Sequence, residues 1–381
     1  MNEIKGISEK IVNKMVQRAN KLGQGRSVGT IGFVNKNGYI YKSTKIINGG
    51  TSGVPFRLLL AEVTDGDHFS FLEMVNQLPD NAVIVSVKPG KTGVIVSTGG
   101  ANLFNLPVVK IGVKDKERVG VGILYPEKNV FNLASESEKA QLKSLAALNM
   151  EEEKEALRKL NKLNLKHLDI SDKIDVVSVN NNVHETIKFS DWKLPEIPKI
   201  KSIKKDFARS LVQKSTEVEQ GREIAAIGKV NKKGQVVQIG DIVVGGMGYI
   251  PSRLLTSGYK DISNISLREA YRDIIPYKAV IVHTHPGGTG VMHISDAMAG
   301  PGTWGRPIIA IGHDENGKIQ GVNVIEVSTE LFELANEKEK IEQEFFEINT
   351  SKEEAELRKR RYQIAQEFTD LCQEIKISQE G

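Results

Sequence analysis

The sequence predicts a mixed α/β protein in which one unit is written twice. Three observations carry that expectation. Blocks of residues recur at a nearly constant offset, short apolar runs of strand length are joined by Asn/Gly turns, and charged amphipathic stretches stand between them. Gly25-Arg26-Ser27 and Gly221-Arg222-Glu223 lie 196 residues apart, and Val34-Asn35-Lys36 matches Val230-Asn231-Lys232 at the same offset. Pro55-Phe56-Arg57-Leu58-Leu59 likewise matches Pro251-Ser252-Arg253-Leu254-Leu255. Further along, Pro89-Gly90-Lys91-Thr92-Gly93-Val94 matches Pro286-Gly287-Gly288-Thr289-Gly290-Val291, and Leu157-Arg158-Lys159 matches Leu357-Arg358-Lys359.

Each unit opens on a helix with apolar residues at helical spacing, Lys10 to Leu22 and Phe207 to Gln220. Two strands follow, Val28 to Val34 with Tyr39 to Ile47, and Ile224 to Val230 with Val236 to Val244. Their Asn/Gly connections are hairpin chemistry. A helix (Ser70 to Gln77; Ser266 to Ile275) leads into an apolar strand, Ala82 to Val85 or Ala279 to Val282. Two more strands close the unit, Val108 to Val113 with Gly120 to Leu124, and Ile308 to Gly312 with Ile319 to Ile325. Glu136 to Leu165 reads as one or two solvated helices, and Asn180 to Lys205, with Trp192, as an extended linker. The C-terminal Leu331 to Ile375 reads as charged helix, either a hairpin on its own domain or a dimer seam. The expected division is 1–134, 135–205, 206–330 and 331–381.

Composition narrows the function classes. With 381 residues, 39% hydrophobic and 26% charged, the chain has the size and apolar content for two to three folded domains. A net charge of +4 does not mark a nucleic-acid protein. Cys372 is the single cysteine, which excludes a disulfide framework and every multi-cysteine metal site. No run approaches the roughly 18 apolar residues of a membrane span, and Met1 to Gly23 carries no signal-peptide core. A soluble, cytoplasmic chain is the expectation.

The repeats agree in skeleton and differ in chemistry. In the second, the strand Val280-Ile281-Val282 runs into His283-Thr284-His285-Pro286, where the first has Ser86-Val87-Lys88-Pro89. Histidines at i and i+2 project from one face of a strand. Pro286 is expected to end that strand, since it has no N–H to donate. Asp296 follows Ser295, a candidate N-cap for a short helical turn, and stands where the first repeat has Gly99. Two His and one Asp leave a tetrahedral zinc with one position open, the catalytic arrangement. Glu223 stands where the first repeat has Ser27, and a carboxylate beside such a site serves as a general base. Taken singly, a His-x-His is more often coincidence than a ligand pair. All four groups occur in one repeat and are missing from the other, which makes the first repeat an internal control.

With Glu223, His283-Thr284-His285-Pro286 and Asp296 in place, the second repeat resembles the JAMM (MPN+) metalloprotease family over about Phe207 to Val327. The resemblance implies two tandem JAMM/MPN-like domains, the first degenerate. It implies one zinc held by His283, His285 and Asp296, and Glu223 as acid and base in hydrolysis of a peptide or isopeptide bond. The implied partner is a protein or peptide, including a ubiquitin-like conjugate. The family's oxyanion-stabilising serine falls here on His293, with Ser295 as the neighbouring substitute. Gly245 to Arg253 and Ala299 to Arg306 are the expected substrate loops, with Trp304 either a substrate wall or a structural plug.

Two other readings stand beside this one. The first is an inactive scaffold, or a nucleic-acid-associated module similar to the RadC-type relatives. The second, a two-metal His-x-His phosphoesterase, needs several further His and Asp ligands downstream, and the only histidine after Asp296 is His313, expected in a turn beside Asp314. His68, His167 and His184 are expected at the surface. Self-association through the C-terminal helices is the expected oligomeric contact.

Overall fold

The computed structural model describes residues 3–64, 68–93, 99–179, 196–218 and 221–379. The first repeat begins β1 (Gly6–Ser8), α1 (Glu9–Leu22), β2 (Val28–Val34), β3 (Tyr39–Ser43), β4 (Ile47–Asn48), α2 (Phe56–Ala61), α3 (Phe71–Asn76) and β5 (Ala82–Pro89). It continues α4 (Gly99–Phe104), β6 (Val108–Lys114), β7 (Glu117–Leu124), α5 (Lys128–Leu145), α6 (Met150–Asp169), β8 (Asp172–Lys173) and β9 (Asp175–Val177). The second begins β10 (Ser202–Lys204), α7 (Lys205–Glu217), β11 (Ile224–Val230), β12 (Gln235–Gln238), β13 (Val243–Val244), α8 (Ser252–Ser257), α9 (Leu267–Glu269) and β14 (Ala279–Pro286). It ends α10 (Ile294–Ala297), β15 (Ile308–His313), β16 (Ile319–Ile325), α11 (Thr329–Glu344), α12 (Ser351–Asp370), β17 (Gln373–Glu374) and β18 (Lys376–Ser378).

Two mixed sheets of nine strands share one topology. The first is ordered β8-β7-β6-β5-β2-β3-β1-β9 with β4 on β2, the second β17-β16-β15-β14-β11-β12-β10-β18 with β13 on β11. The central strands are largely apolar because both faces of each sheet are covered. Along β14, Ala279 and Ile281 enter one core while Val280 and Val282 enter another. Along β5, Ala82 and Ile84 divide from Val83 and Val85 in the same way. That alternation of two settles where the following residues point: His283 and His285 share the face of Ile281.

Several expected boundaries shift for identifiable reasons. The strand expected over 39–47 breaks at Thr44, whose hydroxyl accepts the Ile31 N–H at 3.1 Å and so takes a ladder donor. Pro286 ends its strand as expected, as the last residue of β14, in register with His313. The helix expected over 266–275 continues past α9 as a π-helical turn, Ala270–Ile274, closed by the Ile275 N–H on the Ala270 carbonyl. The helical hairpins align by their N-caps, Asn149 and Thr350, at an offset of 201. The Leu-Arg-Lys match at 200 is therefore one residue out of register.

The stretch 136–165 forms two largely exposed helices, as expected, but the turns that begin α5 and α11 are packed. Val130, Phe131, Leu133 and Ala134 of α5 are buried, as are Leu331, Phe332 and Leu334 of α11. The strands after each hairpin return to their own sheet, β9 beside β1 and β18 beside β10. The expected boundary at 134 thus falls inside α5, and the first sheet extends to Val177. The residues expected as a linker, 180–205, lie largely outside the described ones, and its end, Ser202–Lys204, is a sheet strand.

Each hairpin crosses to the other repeat, with α5 on α8 and α11 on α2. Each crossing is built around one buried arginine. Arg253 donates to Asn102 Oδ1 (2.6 Å), Ser135 Oγ (2.7 Å) and the Ile262 carbonyl (2.7 Å). Arg57 donates to the Phe69 carbonyl (2.7 Å) and to Asn336. Glu138 lies beside Arg253 and Glu339 beside Arg57; burial pushes both carboxyls up to about 7, against the pull of the guanidinium. The C-terminal hairpin therefore bridges the repeats.

Candidate metal centre

The site is built on β14, between β11 on one side and β15 on the other. His283 is in register with Ala225 and Ala310, and His285 with Gly312. Small neighbours leave room for two imidazoles. The chain then turns through Gly287 and Gly290, both at positive φ, where glycine carries no steric cost. A Cβ on Gly312 would stand 2.2 Å from the Gly290 nitrogen, so the loop lies directly on the sheet. This approach brings α10, with Asp296, back over the histidines.

His283 Nδ1 lies 2.9 Å from the Ile309 carbonyl oxygen. A carbonyl only accepts, so Nδ1 carries the proton and Nε2 is left with its lone pair toward the site. The backbone of Val291 hydrogen-bonds the His285 ring. The two Nε2 atoms are 2.9 Å apart, and Asp296 Oδ1 is 3.4 Å from His283 Nε2. Asp296 Oδ2 is 3.9 Å from His285 Nε2 and accepts the His293 backbone N–H at 3.0 Å. One donor atom from each of His283, His285 and Asp296 lies within 4.8 Å of the others. Ligands about 2.0 Å from a tetrahedral ion are separated by roughly 3.3 Å, so the three donors are spaced to hold one metal ion.

The electrostatics are those of converging acceptors. Burial weighs against charge on His285, but the Asp296 carboxylate and then Glu223 outweigh it, and its pKa rises. Burial alone would raise Asp296; its contacts with the His283 and His285 imidazoles hold it well below the usual carboxylate range. Glu223 stands outside the three-residue group. Its backbone is pinned by the Gly246 carbonyl (3.0 Å) and the Gly245 N–H (2.8 Å). Burial raises its pKa, while His283 and His285 lower it and Asp296 raises it, so its carboxyl lies within the field of the site. A buried, elevated carboxyl beside the ligands is the environment of a general base.

Other expected site residues are placed differently. His293, not Ser295, is the N-cap of α10, because Asp296 at N3 reaches back to its N–H. His293 and Ser295 are both exposed. Trp304 is a plug: it is 2% exposed, stacks on Tyr271 at 4.5 Å and donates to Ser252 Oγ at 3.3 Å. The loop from Ala299 to Arg306 is largely buried and meets Ser70 and Glu73 of the first repeat at Gly305. Of the two expected substrate loops, the one from Gly245 to Arg253 carries an exposed apolar group, Met247. His313 is not in a turn; it is buried at the end of β15, its Nε2 2.9 Å from Ser215 Oγ on the far face of the sheet. His184 lies outside the described residues, and His68 is half-exposed.

One neighbour escaped sequence reasoning. Cys372 follows α12, and its Sγ lies 3.5 Å from the Met292 carbonyl, against the loop that delivers Asp296. Burial first, then Asp296, pushes its thiol up. A lone cysteine 76 residues downstream carries no local signal of that proximity.

No family model, curated protein or solved structure matches this chain. Among the described residues no helix is long and apolar enough to cross a membrane.

Proposed function

We propose that the chain is a zinc-dependent hydrolase of peptide or isopeptide bonds, its second repeat a JAMM-type catalytic domain and its first a degenerate scaffold. The observation that carries this reading is the convergence of His283, His285 and Asp296 beside a buried Glu223. Zinc bound by those three would supply Lewis acidity and acidify a coordinated water. Glu223 takes a proton from the attacking water and returns it to the leaving amine. His283 is held in one tautomer by Ile309, and Asp296 in one orientation by the His293 N–H, so neither ligand reorganises during the reaction. His293, at the N-cap of α10, takes the oxyanion-stabilising role, with Ser295 its neighbour. The first repeat holds the fold with Ser27, Ser86, Lys88 and Gly99 at the corresponding positions, and serves as scaffold or recognition domain.

Metal content by mass spectrometry, wild type against His283→Ala and Asp296→Ala, tests the centre. One zinc per wild-type chain and none in either variant is expected; equal zinc in all three removes the site. Peptidase profiling with Glu223→Gln as the blank then separates an enzyme from a scaffold.

A further inference from the structure

The first repeat keeps the skeleton of the metal centre and puts cations in it. Ser86 and Lys88 on β5 stand where β14 has His283 and His285. On the next strand Lys110 is in register with Ser86, whereas Ala310 is in register with His283. Two amines thus occupy the face that carries the donors in the second repeat. They line a cleft of about 710 Å³, closed on one side by Phe345, Phe346 and Arg361 of the second repeat's hairpin.

This arrangement is unsatisfied as it stands. Ser27, at the position of Glu223, is 2% exposed, and its hydroxyl has no hydrogen-bond partner among the described residues. It lines the same cleft. No hydrogen bond or ion pair from the described residues reaches the Lys110 ammonium, while Lys88 donates only to the Ser52 carbonyl, at 3.3 Å. Burial lowers the Lys110 pKa, and Lys88 and Lys91 lower it further. The two carboxylates on the rim are engaged elsewhere: Glu339 accepts the Leu58 N–H beside Arg57, and Glu342 pairs with Lys338 at 2.9 Å. An anion that accepts hydrogen bonds suits two amines and an unpaired hydroxyl in a half-buried cleft.

We propose that the first repeat's cleft binds the oxyanion group of a small ligand, a carboxylate or a phosphate, through Lys88, Lys110 and the Ser27 hydroxyl. The volume suits a small molecule or a chain end rather than a protein surface. The proposal is independent of the metal centre.

Titration calorimetry on the full chain at low ionic strength tests it, with inorganic phosphate and acetate as the two probes and chloride as the control. Saturable binding of at least one probe is expected, weakened about tenfold or more in Lys110→Met and in Lys88→Met, and unchanged in His283→Ala. Which probe binds identifies the source of the oxyanion. No saturable binding of either, or binding that survives both lysine variants, overturns the proposal. Should Lys110→Met fail to fold, Lys88→Met at the cleft mouth decides alone.

Discussion

The Nδ1–H of His283 is donated to the carbonyl oxygen of Ile309, 2.9 Å away across the β14–β15 pair. One backbone acceptor therefore chooses the tautomer and aims Nε2 at His285 and Asp296. Replacing His283 by Asn keeps a polar group but moves the donor. Zinc affinity in His283→Asn is expected to fall by about 100-fold or more, read by competition against a chromophoric chelator. Affinity within a factor of about three of wild type would show that His283 is not a ligand.

Glu223 has the opposite expectation. Glu223→Gln should hold metal at wild-type stoichiometry and lose about two to four orders of magnitude in turnover, the range for removing a general base. The paired readings, metal content and rate, separate a base from a ligand.

The crossing carboxyls predict a pH dependence of stability. Glu138 and Glu339 both titrate at about 7 in the folded chain, above the 4.5 of an ordinary glutamate. A carboxyl whose folded pKa is raised stabilises most below its unfolded pKa, and that contribution is lost as pH rises through the folded one. Between pH 5 and 8 the melting temperature should fall, by an amount equivalent to at most about 3 kcal/mol per group. His285 and Glu223, also raised, act in the same sense. The double variant Glu138→Gln/Glu339→Gln isolates the crossing: its melting profile should be flatter than wild type. A profile of unchanged slope counts against the elevated values.

Trp304 predicts stability without chemistry. It is buried against Tyr271 in the core that joins the repeats. Trp304→Ala should cost about 3–5 kcal/mol in denaturant unfolding. Loss of turnover at unchanged stability would instead make it a substrate wall.

Gly312 tests the link between loop and site. Its Cβ would meet the Gly290 backbone at 2.2 Å, with no flexible side chain to yield. Gly312→Ala should lift the loop from the sheet and lower zinc affinity, while Gly317→Ala, in a turn away from the site, should leave the metal in place. Equal zinc affinity in both variants would show that the loop does not set the ligand geometry.

Much of this protein was legible in its residues. The repeat, the central strands and the four chemically distinct positions of the second unit follow from local pattern, because alternation along a strand decides which side chains share a face. The extent of β3 was not legible, since a threonine hydroxyl can take a ladder donor only where the fold brings it to one. Nor was the cap of α10: Ser295 is the better N-cap by residue type, and the reach of Asp296 to the His293 N–H overrode it.

What the sequence determined by itself is a duplicated α/β frame with ligand-type side chains in one copy and none at the matching positions of the other. The tertiary structure alone decided that the hairpins cross between repeats, that Trp304 fills a core and that Lys110 faces the cleft beside Ser86. The physical reason is that periodicity shows a helix or strand has an apolar face but not what covers it. Two copies of one frame offer nearly equivalent surfaces, and only the packed chain selects between them.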